Sequence, residues 1–546
     1  MARICLKGGL VADGGTRSVY AADVLVADGK IVAVGEGLLG DAEIDVRGLI
    51  VTAGFADAHV HIESGMILPP AFGEAVLPHG TTVLVTDPHE VVNVAGAKGL
   101  GEYLDLAAAS PADVYTALPS SVPATPLDTN GAGKFLAEDM RPFMSRPDVV
   151  GLGEVMCFYD AAAGEKEIAD KIALARAAGK AVDGHTAGMP AELTDAYVAA
   201  GVQNNHECTS EEELLRLYRA GMNIYIREGS AAHNAGVLLR AVKKHGLDTG
   251  RFAFCTDDKH LSSIAAEGHI DTIVRMALRE GFGWGDTAAM ASANAARFYK
   301  LGGKGRPAVG YDADLVVLTQ DASEVRLVMK GGEIVAKDGK AVMNGAKRAY
   351  KLPVFENTVK LPELSEEMFE VPERLRGVAM GLTDGELLTT LEKADDRGAL
   401  CLLATIERHG KNGGHAVCLL KNYGLERGAV ATSVSHDSHN VVCAGKDARD
   451  MIVACRRLSQ IGGGYVIAEG GRVVDELPLP AYGLMALGGA EETAAAIART
   501  AESAHALGVG RGIDPFTTLS FVALPVIPRL RLLDTGLYDT ETRSFL

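Results

Sequence analysis

The sequence lacks the basic clusters and long apolar runs that nucleic-acid-binding and membrane-spanning proteins need. Its 71 Asp and Glu residues outnumber its 53 Lys and Arg residues and give a formal net charge of -18. No basic cluster is denser than short pairs such as Lys243 and Lys244. A polynucleotide partner requires a basic patch, and a bilayer-spanning helix requires roughly 20 apolar residues. We therefore expect no nucleic-acid partner, no membrane partner and a small-molecule substrate.

Cysteine is scarce and dispersed. The eight cysteines never form a Cys-x-x-Cys pair, which argues against a cysteine zinc finger and against a disulfide framework. The N-terminal residues contain no long apolar core with a small-residue cleavage site, so no signal peptide is predicted. A GxxxxGK[ST] phosphate loop is absent as well. These features predict a cytoplasmic protein that does not grip nucleotide phosphates.

The 546 residues are too many for one core, and roughly two to four domains are expected. Eight short β-type segments recur between residues 50 and 300, and most end in a polar residue. They are GFADAH (54–59), TTVLVTD (81–87), ADVYTAL (112–118), VVGLGE (149–154), KAVDGH (180–185), VQNNHE (202–207), NIYIRE (223–228) and RFAFCTD (251–257). Segments of helical periodicity separate the later ones, and Ser210 with Glu213 predicts a capping box. Eight strands alternating with helices predict an α/β fold, a (β/α)8 TIM-like barrel.

The regions that flank the barrel predict a second, discontinuous unit. Segments 1–52 and 303–350 are rich in alternating β-formers with DGK or GG turns. We predict that they are two halves of a small β-sandwich domain, which the barrel at 53–302 interrupts. A proline-bearing linker is predicted at 351–374, and a C-terminal α+β domain at 375–546.

Polar residues at the predicted strand ends indicate a metal centre. In GFADAHVHIES (54–64) the residues Asp57, His59 and His61 alternate, so their side chains project from one face of a strand. The carboxyl ends of barrel strands build the active site, and there the candidate ligands are His59, His61, Glu154, His185, His206 and Asp257. Histidine and carboxylate ligands suit Zn²⁺, Mn²⁺ or Fe²⁺. Six of them suit two ions about 3.5–4 Å apart, which lower the pKa of a bound water to roughly 7.

Seven motifs follow one another along the predicted barrel: DAHVHIES, TDPHEVVNVAG, GLGEVM, DGHTAGM, NNHECTSEEE, REGSAAHN and FCTDDKH. In this order they resemble the adenine deaminases of the amidohydrolase superfamily, and ATIERHGKNG and VSHDSHN extend the likeness to the C-terminal region. The resemblance implies that the six candidate residues are ligands. It also implies Mn²⁺ or Fe²⁺ as the occupants and hydrolysis of adenine to hypoxanthine and ammonia in purine salvage.

The residue at the end of the fourth predicted strand departs from the pattern of many related barrels. Those barrels hold two metals with a carbamylated lysine at this position, whereas this chain has Glu154. A glutamate can bridge two ions by itself. The departure fits the adenine deaminases and counts against hydantoinase-like or dihydroorotase-like chemistry.

The expected reaction is attack of a metal-bound hydroxide on C6 of adenine. We expect Asp257 to accept the proton of the water and pass it on, and Glu154 mainly to bridge; a role for Asp257 as a ligand alone stays open. Candidates for binding the substrate follow the second and seventh strands: Asp87, His89, Glu90, Arg227, Glu228 and Ser230. Structural roles are the alternative, in the turn at Pro88 for the first three and in an Arg–Glu pair for the seventh-strand group.

The C-terminal region contributes three further polar residues. His436, Asp437 and His439 could bind an additional metal, cover the active site or serve only the local structure.

The runner-up function is another binuclear-metal amidohydrolase that acts on a different purine or a small amide. A regulatory protein without turnover is disfavoured because no ligand is missing, and a Pro-Cys-x-x-Cys zinc deaminase is excluded by the sequence. A homo-oligomer is expected because barrels of this type often assemble through surface loops.

Overall fold

The structure, a computed structural model, describes residues 3–230, 232–342, 358–383, 387–395 and 400–546. Five strands precede the barrel: β1 (Ile4–Asp13), β2 (Ser18–Ala27), β3 (Lys30–Gly35), β4 (Ala42–Asp45) and β5 (Ile50–Ala53). β2 and β3 form a hairpin around Asp28 and Gly29, which have φ of 48° and 75°. Positive φ at both central residues is what a tight Asp-Gly hairpin turn requires.

Eight parallel strands follow: β6 (Phe55–Val60), β7 (Thr81–Thr86), β8 (Asp113–Leu118), β9 (Val149–Val155), β10 (Ala181–Gly184), β11 (Asn204–Asn205), β12 (Asn223–Arg227) and β13 (Phe252–Cys255). They are hydrogen-bonded in sequential order. A parallel bridge between Val60 and Asp257 joins the first strand to the last. The predicted (β/α)8 barrel is confirmed, and each predicted segment overlaps one of its strands.

Between residues 69 and 298 the described part of the chain forms twelve α-helices: α1 (Pro69–Val76), α2 (His89–Ala108), α3 (Ala137–Met140), α4 (Phe158–Ala163), α5 (Lys166–Ala177), α6 (Thr194–Ala200), α7 (Glu211–Arg219), α8 (Ala235–His245), α9 (Leu261–Glu267), α10 (Ile270–Arg279), α11 (Trp284–Ala288) and α12 (Asn294–Phe298). A π-helical turn at Ala289–Ala293 joins the last two. In place of the full capping box, Glu213 Oε2 accepts the backbone N–H of Thr209 at 2.9 Å. The N-cap half is present, since the backbone N–H of Glu213 donates to Ser210 Oγ at 3.2 Å. It satisfies one of the free N–H groups at the start of α7.

Four strands after the barrel complete the first sheet: β14 (Leu315–Leu318), β15 (Val325–Lys330), β16 (Glu333–Lys337) and β17 (Lys340–Ala341). β14 pairs antiparallel with β5, so both flanks of the barrel belong to one nine-stranded sheet. Fully buried side chains from both halves, such as Val24 and Leu315, share one core. The flanks therefore form a single discontinuous β unit.

The C-terminal region contains a second large sheet. Its strands are β18 (Val378–Leu382), β19 (Thr389–Lys393), β20 (Leu400–Ile406), β21 (His415–Lys421), β22 (Ala429–Thr432), β23 (Val441–Gly445), β24 (Gly464–Glu469) and β25 (Arg472–Pro478), and a three-stranded sheet follows with β26 (Leu530–Leu533), β27 (Gly536–Asp539) and β28 (Ser544–Phe545). The helices are α13 (Ala448–Gln460), α14 (Ala490–Ala506) and α15 (Pro515–Phe521). Part of the predicted linker, 351–357, lies outside the described residues. Its later residues Val359 and Phe369 are buried in the C-terminal core.

The C-terminal region packs onto the barrel at several points. Ala486 N–H donates to the carbonyl of Met66 at 2.7 Å, and Asn440 Nδ2 donates to the carbonyl of Thr129 at 3.0 Å. One apolar core contains Phe72 of α1 together with Phe516 of α15. Among the described residues, no helix is both long and apolar enough to cross a membrane.

Candidate metal centre

β6 delivers two histidines to the interior of the barrel. The alternation predicted from the sequence places His59 and His61 on one side, with their Nε2 atoms 3.1 Å apart. Asp57, which the alternation placed on the same face, does not join them: it accepts hydrogen bonds from the backbone N–H and the hydroxyl of Thr256 at 3.1 and 2.5 Å, and its Oδ2 lies 3.3 Å from Nε2 of His269, the residue before α10. Burial raises the pKa of Asp57 to about 7. Asp57 thus ties β6 to the segment that precedes Asp257.

Glu154, at the end of β9, faces histidines on both sides. Its Oε1 lies 3.4 Å from His61 Nε2. Its Oε2 lies 2.7 Å from His185 Nδ1 and 3.3 Å from His206 Nε2. Each carboxylate oxygen therefore faces a different set of imidazoles, which is the arrangement that a carboxylate bridging two ions requires.

Asp257 completes the ring of ligating groups. Its Oδ1 lies 3.2 Å from His61 Nε2 and 3.7 Å from His59 Nε2, and its Oδ2 accepts a hydrogen bond from Arg227 Nη1 at 2.7 Å. Burial alone would raise the pKa of Asp257, but the hydrogen bond from His61 and the charge of Arg227 hold it well below its ordinary value.

The backbone of Asp257 is in the left-handed region, with φ of 59°. A non-glycine residue there costs about 1–3 kcal/mol and persists where its surroundings fix it. Two hydrogen bonds do so here, from Asp257 N–H to the carbonyl of His59 at 2.9 Å and from His61 N–H to the carbonyl of Asp257 at 3.2 Å. The closure of the barrel thereby aims the carboxylate at the histidines.

His206 shows that the cluster fits metal ions. Both of its ring nitrogens are buried and have no hydrogen-bond partner in the part of the chain that the structure describes. Buried polar atoms are normally paired, and a metal ion would supply the partner for Nε2. His59, His61 and Asp257 form one group whose ligand atoms lie within 4.8 Å of one another, and His59, Glu154 and His206 form another. Imidazole and carboxylate donors suit divalent transition metals.

Two further residues lie at this cluster. Glu207 Oε1 is 3.2 Å from His206 Nε2 and pairs with Arg227 Nη1. Sequence reasoning missed Glu207 because adjacent strand residues face opposite sides; β11 ends at Asn205, so this alternation no longer applies. His89, a substrate-binding candidate, has its Nδ1 3.5 Å from Glu154 Oε1.

Four of the other substrate-binding candidates contact the protein itself. Asp87 Oδ2 accepts the backbone N–H of Glu154 at 3.0 Å, and Arg227 holds Asp257 as described. Glu228 contacts His233 Nδ1 at 2.8 Å and not Arg227, so the structure does not form the Arg–Glu pair that the sequence left open. Ser230 Oγ accepts the backbone N–H of His260 at 2.8 Å.

A narrow cavity lies beside these residues, between the barrel and the C-terminal region. The barrel contributes Ser64, Met66, Glu90, Asp258 and His260, and the C-terminal region contributes Val434, His436, Tyr465, Thr517, Ser520 and Phe521. Glu90 is thus the one of the six substrate-binding candidates that lines this cavity. Its Oε1 lies 3.3 Å from His436 Nδ1, so side chains of both regions meet in the wall of the cavity.

Known proteins resemble this chain over nearly its whole length. Residues 50–335 match the model of the amidohydrolase family, and residues 382–544 match that of the adenine deaminase C-terminal domain. An adenine deaminase of Bacillus licheniformis is 37% identical over 562 residues, which cover 99% of this chain and 95% of that protein. One of Bacillus subtilis is 38% identical over 557 residues, covering 99% and 96%. The crystal structure of an enamidase covers 62% of this chain and 96% of that one at 22% identity, with a TM-score of 0.46.

Proposed function

The chain belongs to the adenine deaminase family of amidohydrolases, and from this premise we propose that it hydrolyses adenine to hypoxanthine and ammonia. The observation that carries the proposal is the position of Glu154, whose two carboxylate oxygens face His61 on one side and His185 and His206 on the other. The full-length relatives bear the name of this activity.

The proposed ligands of two divalent ions are His59, His61, Glu154, His185, His206 and Asp257. We propose Mn²⁺ as the occupant, with Fe²⁺ or Zn²⁺ as alternatives that the same donors would hold. When bound, such ions lower the pKa of a coordinated water so that hydroxide is present at neutral pH.

The proposed catalytic groups are Asp257 and Glu154. Asp257 Oδ1 faces the histidines, where it can accept the proton of the attacking water and return it to the departing amine. Arg227 holds the other oxygen, so the carboxylate cannot turn away. Glu154 orients His61 on one side and His185 and His206 on the other. The carbonyl of Asp87 supports this by holding His61 Nδ1 at 2.9 Å, which leaves Nε2 free to bind metal.

We propose that Glu90 contacts the purine, because it lines a cavity together with Asp258, the residue that follows Asp257. For the other substrate-binding candidates the contacts favour a positioning role. Asp87 and His89 lie against Glu154, and Arg227 lies against Asp257. Glu228 and Ser230 fix the loop that follows β12.

The test is ammonia release from adenine by the protein reconstituted with Mn²⁺. A double variant, His59→Ala with His61→Ala, is expected to lose turnover and to bind less metal. His245→Ala is the control, since this histidine at the end of α8 pairs with Glu211 of α7 at the protein surface. If the intact metal-loaded protein releases no ammonia from adenine, adenine is refuted as the substrate. Guanine, 6-substituted purines and small amides would then test the other amidohydrolase activities.

We further propose a cytoplasmic protein of purine salvage that forms a homo-oligomer. None of the eight cysteines, all of which the structure describes, forms a disulfide, which suits a reducing compartment. Val19, Tyr20 and Val32 are exposed on β2 and β3, by 44%, 41% and 43%, and could be covered by a second copy. Light scattering after size-exclusion chromatography would measure the molar mass of the protein. A monomer at micromolar concentration would refute the homo-oligomer.

A further inference from the structure

Glu90 lies between the barrel and two histidines of the C-terminal region. Its Oε1 is 3.3 Å from His436 Nδ1, and its Oε2 is 3.8 Å from His439 Nε2. Glu90 and His439 are buried, with 1% and 0% of their surface exposed. These three side chains have ligand atoms within 4.8 Å of one another and could hold a metal ion. The hydrogen position on His439 decides between a metal site and a hydrogen-bonding site.

His439 is not in the tautomer that a metal requires. The backbone N–H of Ser435 donates to His439 Nδ1 at 3.2 Å, so Nδ1 carries no hydrogen and the neutral ring carries it on Nε2. A metal ligand needs that nitrogen deprotonated. The Nε2–H of His439 therefore faces Glu90 Oε2 from 3.8 Å, beyond hydrogen-bond length, and the cluster does not offer three ligands to an ion.

Glu90 Oε1 makes no hydrogen bond with His436 Nδ1, although the two atoms lie 3.3 Å apart. Oε1 is buried and has no hydrogen-bond partner within the described ranges of the chain. Leaving such an acceptor unpaired is costly, and a ligand N–H in the adjoining cavity would pair it. Glu90 and His436 both line that cavity. The His436 ring stacks on Phe521, with ring centres 4.6 Å apart and planes inclined by 24°, so this wall is fixed.

Resting on the proposed function, we propose that Glu90 Oε1 accepts the imidazole N–H of free adenine and that His436 and Phe521 occupy the space beyond that nitrogen. Adenine carries the hydrogen on N9, or on N7 in its other tautomer. Adenosine and AMP carry ribose on N9 and cannot offer the N9–H. The site thus selects the free base. His436 and Phe521 of the C-terminal region exclude purines that carry a substituent on that nitrogen.

The experiment compares kcat/KM for adenine, 7-methyladenine and 9-methyladenine in the Mn²⁺-loaded full-length protein. The intact protein is expected to prefer adenine over both methylated bases by about 100-fold or more, because a site built to bind a donor rejects analogues without it. Glu90→Met keeps the length of the side chain and removes the acceptor. It is expected to lower kcat/KM for adenine roughly 10–100-fold, mainly through KM, and to leave the methylated bases nearly unchanged. The preference should therefore collapse.

The matched control is Asp534→Leu. Asp534 is also a buried carboxylate, its Oδ2 has no hydrogen-bond partner among the described residues, and it is not one of the residues that line the cavity. It should keep the preference for adenine. Glu90→Gln, which retains an acceptor oxygen, should fall between Glu90→Met and the intact protein.

Two outcomes would overturn the inference: equal turnover of adenine and 9-methyladenine by the intact protein, or an undiminished preference in Glu90→Met. If Glu90→Met does not fold, the Glu90→Gln profile carries the decision by the same criterion. Failure of the intact protein to deaminate adenine would instead refute the proposed function, so the two failures are distinguishable.

Discussion

Replacing Arg227 with methionine is expected to destabilise the barrel and slow catalysis without weakening substrate binding. The guanidinium is buried, with 7% of the side chain exposed, and it pairs with Asp257 at 2.7 Å and with Glu207. Removing one partner of a buried ion pair costs about 3–5 kcal/mol, since it leaves uncompensated charge. At about 2–4 °C per kcal/mol for a domain of 150–250 residues, the unfolding temperature of the metal-free protein should fall by roughly 10 °C.

Metal ions should offset part of this loss, because they neutralise the carboxylate of Asp257 from its other side. The assay is therefore a pair of measurements, thermal unfolding with and without Mn²⁺ and steady-state ammonia release from adenine. We expect kcat to fall roughly 10–100-fold, the usual effect of removing a residue that orients a ligand. Arg240→Met is the control, because Arg240 pairs with Glu280 on the surface with 62% of its side chain exposed.

The reasoning about Arg227 fails if the variant unfolds at the same temperature as the intact protein and shows a raised KM with unchanged kcat. That result would place the guanidinium on the substrate, as the sequence had suggested, and not on Asp257. A loss of kcat together with lowered stability would confirm the positioning role.

Three other predictions follow from the same contacts. Asp257→Asn should lower kcat about 10²–10⁴-fold by removing the group that moves the proton; unchanged kcat in the ammonia assay would refute that role. Gly153→Ala should reduce metal content and activity, because a Cβ there would lie 2.0 Å from Asp87 Oδ2, and metal analysis after dialysis checks it. Acid should weaken the fold in part through Asp13: burial raises its pKa, but hydrogen bonds from Arg306 bring it below 3.8. The interaction of Asp13 with Arg306 therefore stabilises the fold above about pH 4, and this contribution is lost as the pH falls through the folded-state pKa of Asp13. The urea unfolding of Arg306→Gln should depend less on pH between 5 and 3 than that of the intact protein.

The barrel could be predicted because its strands obey a simple rule. They are buried on both faces, so they read as short apolar runs, and each change to polar residues marks a carboxyl end. His59 and His61 then follow from the alternation of side chains along a strand. The same rule failed for Glu207, because β11 has only two residues, Asn204 and Asn205, and the chain beyond a strand end no longer alternates. It also could not show that Arg227 would reach across to Asp257, 30 residues away.

The part of the site beyond the barrel could not be derived because it depends on contacts distant in sequence. The role proposed for Glu90 Oε1 depends on the nearby His436, whose Nδ1 lies 3.3 Å away. That proximity results from the packing of α15 and its neighbours onto the barrel. A motif such as SVSHDSHN fixes which atoms are available but not which of them carries a hydrogen. Here one backbone N–H, that of Ser435, sets the tautomer of His439. The choice between a metal site and a purine-binding site is therefore made by a local hydrogen bond that no residue pattern reports.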